Sequence, residues 1–250
     1  MQIIGLQGIP LIKEGDDIAA FILAALEDAA DALEDGDIVV VAQKIVSKTE
    51  GRLIPIASVE AGDEAIELAA RCEKDPRIVE LILSEASEVV RSKPGVILVR
   101  HRLGNVGANA GIDQSNIEHG GGEAALLLPL DPDASALELH ERLSAATGKH
   151  IGVIIADSMN RPWRLGTIGC AIGCAGVLVL DDLRGHVDMF GREMKVAMVN
   201  CADSIAAAAT LIMGESTEGV PAALVKGFAV PESPGRAADI IRAAEDDLFR

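Results

Sequence analysis

Tyrosine is absent, and aromatic side chains make up only 2% of the sequence. A core must therefore be assembled from alanine, valine, isoleucine and leucine. Basic residues are also in deficit: 22 lysines and arginines face 39 aspartates and glutamates, a formal net charge of −17. This argues against a nucleic-acid partner, because phosphate backbones are held by clustered lysine and arginine. No apolar run reaches the roughly 18 residues of a membrane-spanning helix. The start, Met1-Gln2-Ile3-Ile4-Gly5, has neither the basic stretch nor the small-residue cleavage site of a signal peptide. The four cysteines show no clear metal-ligand spacing, which fits a reduced, cytoplasmic protein. Cys170 and Cys174 would share one face of a helix, but their glycine- and alanine-rich surroundings read as a buried segment. The five histidines are scattered, with no triad-like pattern around serine or cysteine. Gly120-Gly121-Gly122 lacks a following Gly-Lys-Ser/Thr and reads as a flexible tether, not a P-loop; no G-x-G-x-x-G occurs either.

What is present is 250 residues, 49% of them hydrophobic, enough for one large domain or two small ones. Apolar spacing predicts a helix over 16–33, stopped by Gly36, and a buried strand over 37–42 that delivers Gln43, Lys44, Ser47 and Lys48 beyond its end. Ligands of α/β proteins gather where strands end, so the two lysines are candidate phosphate contacts; solvated surface lysines are the plainer reading. Helices are expected over 64–71, from Asp75-Pro76 through Val90, and over 133–146 up to Gly148. Strands are expected at 96–99, 151–156, 194–199 and 222–225. An alanine-rich helix capped by Asp203 should reach Met213, and an amphipathic helix should close the chain over 236–250.

Gly104–Asn116 carries three glycines and three asparagines in G-N-V-G-A-N-A-G-I-D-Q-S-N. Such a stretch sacrifices packing for backbone freedom, as a chain does near a ligand or in an ordinary loop. Asp113 lies within it. A second stretch follows the 151–156 strand, where Asp157-Ser158 precedes Asn160-Arg161-Pro162-Trp163-Arg164. An acid and a hydroxyl at a strand tip suit metal ligation, although Asp157 would also serve as a helix cap. Two arginines and the only tryptophan suit an anionic, aromatic ligand, or packing. A third acidic loop, Gly214–Gly219, contains Glu215. An anionic nucleotide in so acidic a chain needs divalent cations between its phosphates and the carboxylates.

In order, the segments G-I-P-L-I-K at Gly8, Q-K-I-V-S-K-T-E-G-R at Gln43, A-N-A-G-I-D-Q-S-N-I at Ala108, D-S-M-N-R-P-W-R-L-G at Asp157, A-I-G-C-A-G at Ala171, M-F-G-R-E at Met189 and M-G-E at Met213 span nearly the whole chain. Together they resemble the coenzyme F420-0:L-glutamate ligases, or gamma-glutamyl ligases. The resemblance implies an α+β (mixed α/β) fold, a single unit over 1–250 of two intimately joined, interleaved lobes, paired as an intertwined homodimer. Some relatives carry a C-terminal nitroreductase-like domain; the chain departs from them in being expected to lack it, and any activity belonging to it. It further implies a GTP-dependent ligase that adds L-glutamate to the phospholactate carboxylate of the deazaflavin F420-0, then further gamma-linked glutamates.

By the same resemblance, nucleotide contacts fall on Gly8, Ile9, Pro10, Leu11, Gln43, Lys44, Lys48, Asn116, Met213, Gly214, Glu215, Ser216, Thr217, Glu218, Gly219 and Val220. Metal ligation falls on Asp113 and Asp157, with Ser158 and Glu215 serving a second ion. The ions are Mn²⁺ or Mg²⁺, with a monovalent cation such as K⁺ as a further candidate. Arg161, Trp163 and Arg164 are assigned to the anionic deazaflavin substrate. The chain departs from the pattern at Asn160, where relatives often have glycine; asparagine tolerates similar backbone angles, so the turn is expected to survive. Two other readings stay open: a related amide ligase acting on another acid, and a non-catalytic GTP- and metal-binding module.

Overall fold

The computed structural model describes residues 1–119, 121–228 and 234–247. In chain order its strands and helices are β1 (Gln2–Gly5), α1 (Ile18–Asp28), β2 (Ile38–Ala42), α2 (Gln43–Thr49), β3 (Leu53–Pro55), α3 (Asp63–Cys72), α4 (Pro76–Glu85), β4 (Ala86–Lys93), β5 (Val96–His101), β6 (Val106–Ala108), β7 (Ala124–Leu126), α5 (Pro132–Thr147), β8 (Gly152–Asn160), β9 (Thr167–Ala175), β10 (Leu180–Asp182), β11 (Met198–Asn200), α6 (Cys201–Met213) and β12 (Ala222–Lys226). The fold is mixed α and β. Among the described residues no helix is long and apolar enough to cross a membrane.

A five-stranded sheet in the order β1-β12-β2-β8-β9 forms the centre. The continuous apolar runs of β2 and β8 arise because both sheet faces are covered. Val39, Val41, Val153 and Ile155 face one core with α1 and α5, while Ile38, Val40 and Ile154 face a second core against α6. Asp17 caps α1 by accepting from the Ala20 N–H at 2.9 Å, and Asp131 caps α5 through Ala134. The segment 53–127 carries a third core, in which α3 and α4 pack behind the antiparallel sheet β4-β5-β6.

The edge strand β9 is protected rather than open. Its Ala171 N–H donates to Asp203 at 2.8 Å, and its Cys174 N–H donates to Asp133 at 2.9 Å. Gly169 and Gly173 let the helices close over it: a Cβ at Gly169 would fall 2.0 Å from Thr210 Oγ1, and one at Gly173 2.1 Å from the Pro132 carbonyl.

Several expectations are corrected. The helix from Asp75-Pro76 ends at Glu85, and Val89 and Val90 lie in β4, where Val89 pairs with Val99. Glu85 is drawn into a buried ion cluster, and the β-branched residues beyond it favour the strand. The strand expected over 194–199 is reduced to Met198–Asn200. Asn200, not Asp203, caps α6: its side chain accepts from the Asp203 N–H at 3.0 Å, which leaves the Asp203 carboxylate for β9. The closing helix is replaced by 3₁₀ turns at Ala237–Ile240 and Ala244–Asp246, with 248–250 outside the described residues. The Ala237 and Ala238 N–H groups, at 2.8 and 3.1 Å, go to Asp133 rather than into an α-helix. Of the expected glycine tether, Gly120 lies outside the described residues. Cys170 and Cys174 are on a strand, not a helix. Asn160 ends β8, paired with Thr167, and the left-handed angles of the loop fall on Trp163 at φ 64° and Gly166 at φ 88°, so no glycine-like angle is asked of Asn160.

Candidate active site

Strand directions determine what meets where. β1 is antiparallel to β12, β12 is antiparallel to β2, and β2 is parallel to β8. The carboxyl ends of β1, β2 and β8 and the amino end of β12 therefore share one end of the sheet. Onto that end come the Gly8–Leu11 segment, Gln43–Lys48 on α2, Asp157-Ser158 and the 214–220 loop. Loop and strand touch there: a Cβ on Gly5 would lie 2.9 Å from Val220 Cγ1. β2 pairs with β8 only as far as Ala42 and Ala156, so the ribbon of β8 and β9 overhangs the end from Asp157 onward.

Asp113 reaches the same place from the 53–127 segment. Its backbone is pinned to Leu126 by reciprocal hydrogen bonds of 2.9 and 2.8 Å. Its Oδ2 accepts from Gln43 Nε2 at 2.7 Å and from the Lys44 ammonium. The Gln43 amide is held by the buried Ser47 hydroxyl, which donates to Gln43 Oε1 at 2.9 Å and leaves the NH₂ for Asp113. Lys48 donates to the Asn116 carbonyl at 3.1 Å, and Asn116 has a left-handed φ of 56°. Burial, then the neighbouring charge of Lys44, lowers the Lys48 pKa.

Asp157 is flanked by acids. Burial first, and then the charge of Asp113, push its carboxyl up to about 7; Glu215 adds to the rise, while the Ser158 N–H and Lys44 oppose it. The Ser158 hydroxyl donates to Glu215 Oε1. Beside Glu215, Glu218 takes the Ser216 N–H at 2.8 Å, which folds the loop on itself between Gly214 and Gly219.

Asp113 and Glu215 thus both act on Asp157, with the Lys44 ammonium opposing them. A set of carboxylates and a hydroxyl is the hard-oxygen chemistry that Mg²⁺ or Mn²⁺ takes, and its excess negative charge fits a cation. Among the described residues no three acids, histidines or cysteines already stand in a metal-holding cluster. Lys44 and Ser158 occupy carboxylate oxygens instead.

Gln43, Lys44, Lys48, Asn116, Asp113, Asp157, Ser158 and Glu215 are linked by these contacts, and Met213 is buried just before the 214–220 loop. Arg161, Trp163 and Arg164 are not joined to them. They sit on the tip between β8 and β9, where Trp163 is 93% exposed and the charge of Arg161 acts on Asp203 and Cys170.

Sequence reading missed the cleft beside Asp157, between β6 and the overhang of β8, lined by His101, Asn105, Leu128 and Asn160 among others. It also missed the ion cluster behind it. Glu85 accepts from Arg52 at 2.8 Å, from Arg102 at 3.1 Å and from His101 Nε2 at 3.2 Å. The available signals were Arg52 at the end of the Gln43 segment and a glutamate in the last turn of an apolar helix.

Fold and geometry define a mixed α and β protein with an acidic, lysine-bearing cluster at one end of its main sheet. A family model described as F420-0:Gamma-glutamyl ligase matches residues 7–227. The chain is 43% identical over 252 residues to the coenzyme F420:L-glutamate ligase of Methanothermobacter thermautotrophicus, covering 100% of this chain and 99% of that protein. It is 42% identical over 250 residues to the enzyme of the same name from Methanocaldococcus jannaschii, covering 100% and 97%. To that of Natronomonas pharaonis it is 40% identical over 257 residues, covering 100% and 95%. The chain belongs to the F420-0:gamma-glutamyl ligase family and is an enzyme of the ligase class.

Proposed function

We propose that this enzyme adds L-glutamate to the phospholactate carboxylate of F420-0 at the expense of GTP, and then adds further glutamates through gamma linkages. The observation that carries the reading is the convergence of Asp113, Asp157 and Glu215, from three distant parts of the sequence, beside Lys44 and Lys48. A carboxylate condenses with an amine only once one of its oxygens becomes a leaving group. The gamma-phosphoryl group of GTP passes to the substrate carboxylate, giving an acyl phosphate and GDP; the glutamate nitrogen then attacks the carbonyl carbon and phosphate leaves. The protein's share is positioning and charge neutralisation.

Lys44 and Lys48 contact phosphate oxygens, with Gly8, Ile9, Pro10, Leu11, Gln43, Asn116 and the 213–220 stretch around the rest of the nucleotide. Bare carboxylates would repel a triphosphate by about 1–4 kcal/mol per close pair. Asp113, Asp157, Ser158 and Glu215 are the residues to hold Mn²⁺ or Mg²⁺, which supplies charge neutralisation when bound. A monovalent cation such as K⁺ is a further companion. Arg161, Trp163 and Arg164 engage the deazaflavin. The body around the main sheet and the 53–127 segment serve as two lobes, and two copies pair as a homodimer working in the cytoplasm.

The test is incubation with F420-0, GTP, L-glutamate and Mn²⁺, with products weighed by mass spectrometry against a panel of other carboxylic acids. Glutamylated F420 with matching GDP release is expected. Preference for another acid, or no phosphate release with any acceptor, overturns the reading.

A further inference from the structure

We propose that Arg52 is the positioning residue that holds Asp113 against Gln43 and Lys44. The inference rests on the ligase reading and adds what keeps the acid in register with the lysine-bearing helix. Lys44 lies on α2, and Asp113 follows 69 positions later, inside the 53–127 segment. The chain crosses between the body and that segment twice, at 50–52 and at 127–131. Sliding of one crossing along the other would part Lys44 from Asp113.

At the first crossing Gly51, left-handed at φ 66°, turns the chain off the end of α2. Arg52 then bonds in both directions. Its N–H donates to the Ser47 carbonyl at 2.9 Å, and its own carbonyl accepts from the Leu127 N–H at 3.2 Å. Ser47 orients Gln43, Gln43 donates to Asp113, and Asp113 is bonded to Leu126, the neighbour of Leu127. These contacts close a ring, with Asp113 on one side and Arg52 on the other. Among the described residues the Arg52 side chain has no bond to Asp113, Asp157 or either lysine, so it acts through the ring and not on substrate.

The second crossing has no regular structure to hold it. β7 ends at Leu126 and α5 begins at Pro132, while Leu127 and Leu128 are buried, so backbone carbonyls there need partners other than water. Arginines supply them. Arg52 Nε donates to the Leu128 carbonyl at 2.9 Å, and Arg102 donates to those of Pro129 and Leu130 at 3.2 and 2.7 Å. From the first crossing, Glu50 also accepts the Leu130 N–H at 2.8 Å. Glu85 stands between the two guanidinium groups and fixes both, taking Arg52 Nη2 at 2.8 Å and Arg102 Nε at 3.1 Å. A planar fork can face a carbonyl and a carboxylate at once; a lysine ammonium on its flexible stem keeps the charge and loses that geometry.

The test is Arg52→Lys, read by amide hydrogen exchange and by steady-state kinetics well below its melting temperature. Exchange at least ~10-fold faster at the Asp113 and Leu126 amides, with β2 and β8 unchanged, is expected. A kcat/KM for GTP lower by at least ~10-fold, with the glutamate KM within about 2-fold of wild type, is expected alongside it. On top of Gln43→Ala, which already opens the ring, Arg52→Lys should cost less than ~2-fold more. Exchange that quickens evenly through β2, β8 and the ring makes the arginine merely structural and overturns the inference, as does full additivity with Gln43→Ala. Unchanged GTP kinetics overturns it too. If the wild-type protein itself joins no glutamate to F420-0, the ligase reading falls and the kinetic role with it, whereas the exchange pattern still decides the ring. Should Arg52→Lys not fold, native-state exchange of the wild type takes its place. The amides of Arg52, Asp113, Leu126 and Leu127 all donate within the ring and should open as one unit; independent openings overturn it.

Discussion

Two carboxylates a short way apart in this molecule are treated in opposite ways. Glu85 is surrounded by Arg52, Arg102 and His101. Burial alone would raise its pKa, but hydrogen bonds from His101 and Arg52 and the charges of both arginines hold it down at about 2. Asp157 is raised to about 7, first by burial and then by Asp113. The first acid has its cations built into the chain, and it knits the 53–127 segment to the Leu128–Leu130 backbone through Arg52 and Arg102. The second has acids for neighbours and too few cations. A satisfied acid stabilises a fold; an unsatisfied one is retained at a cost that a ligand relieves.

The sharpest way to break this contrast is to neutralise each acid. Asp157→Asn should lower glutamate addition by roughly 100-fold or more at saturating Mn²⁺. Turnover near that of wild type would remove Asp157 from the centre. In metal-free buffer the same variant should melt no lower than wild type above pH 7. With its folded pKa raised from 3.8 to about 7, the acid costs the fold stability as pH climbs through that window, where the unfolded chain has already lost the proton. The full cost stands above pH 7, and asparagine removes it.

Glu85→Ala should do the reverse. It leaves Arg52, whose side chain is only 15% exposed, without its carboxylate, at a cost on the order of 3 kcal/mol. That corresponds to a melting temperature roughly 6–12 °C lower in a domain of this size. The pH dependence follows with its own sign. The folded pKa is depressed from 4.5 to about 2, so the stabilisation is present above pH 4.5 and is lost as pH falls from there toward 2. Wild-type melting temperatures measured down through that window should fall more steeply than those of Glu85→Ala, and parallel curves would contradict the account.

A smaller effect is expected at Lys48. Burial and Lys44 make its charge costly, a cost that an incoming phosphate offsets. Lys48→Ala should raise the GTP KM by roughly 5-fold and leave glutamate use alone. A change confined to the glutamate KM would move Lys48 away from the nucleotide.

The same contrast explains what the sequence could show. β2 and β8 were legible because strands buried on both faces read as unbroken apolar runs, and the body of α5 because Gly148 closes it; its start at Pro132, one residue before the expected Asp133, is set by the Asp131 cap. The acids of the candidate site stood out in the sequence because each sits at the tip of an element or in a glycine-bounded loop. Their partnerships were not, since Lys44 meets Asp113 across 69 positions and Ser158 meets Glu215 across 57. The end of α4 failed for the same reason. Glu85 leaves the helix pattern on account of Arg52, 33 positions earlier, and Arg102, 17 later. Asp203 was misplaced because a cap and an edge-strand acceptor demand the same residue type. A closing helix was expected from amphipathic spacing, but spacing cannot reveal that Asp133 claims the first two backbone N–H groups.

Trp163 gives the smallest and most discriminating test. It stands 93% exposed with φ at 64°, a left-handed conformation that a bulky residue adopts at a cost of about 1–2 kcal/mol. Neither feature helps the fold. Trp163→Gly relieves the backbone strain and removes no core contact, and it should melt at the same temperature as wild type or slightly higher. If the indole stacks on the deazaflavin, the F420-0 KM should rise roughly 2–10-fold, the range of a single aromatic stack worth about 0.5–1.5 kcal/mol, with GTP and glutamate KM unchanged. An unmoved F420-0 KM would take the ring away from the substrate. If the proposed homodimer is found by light scattering and the variant dissociates at lower dilution than wild type, the ring belongs to the contact between copies instead.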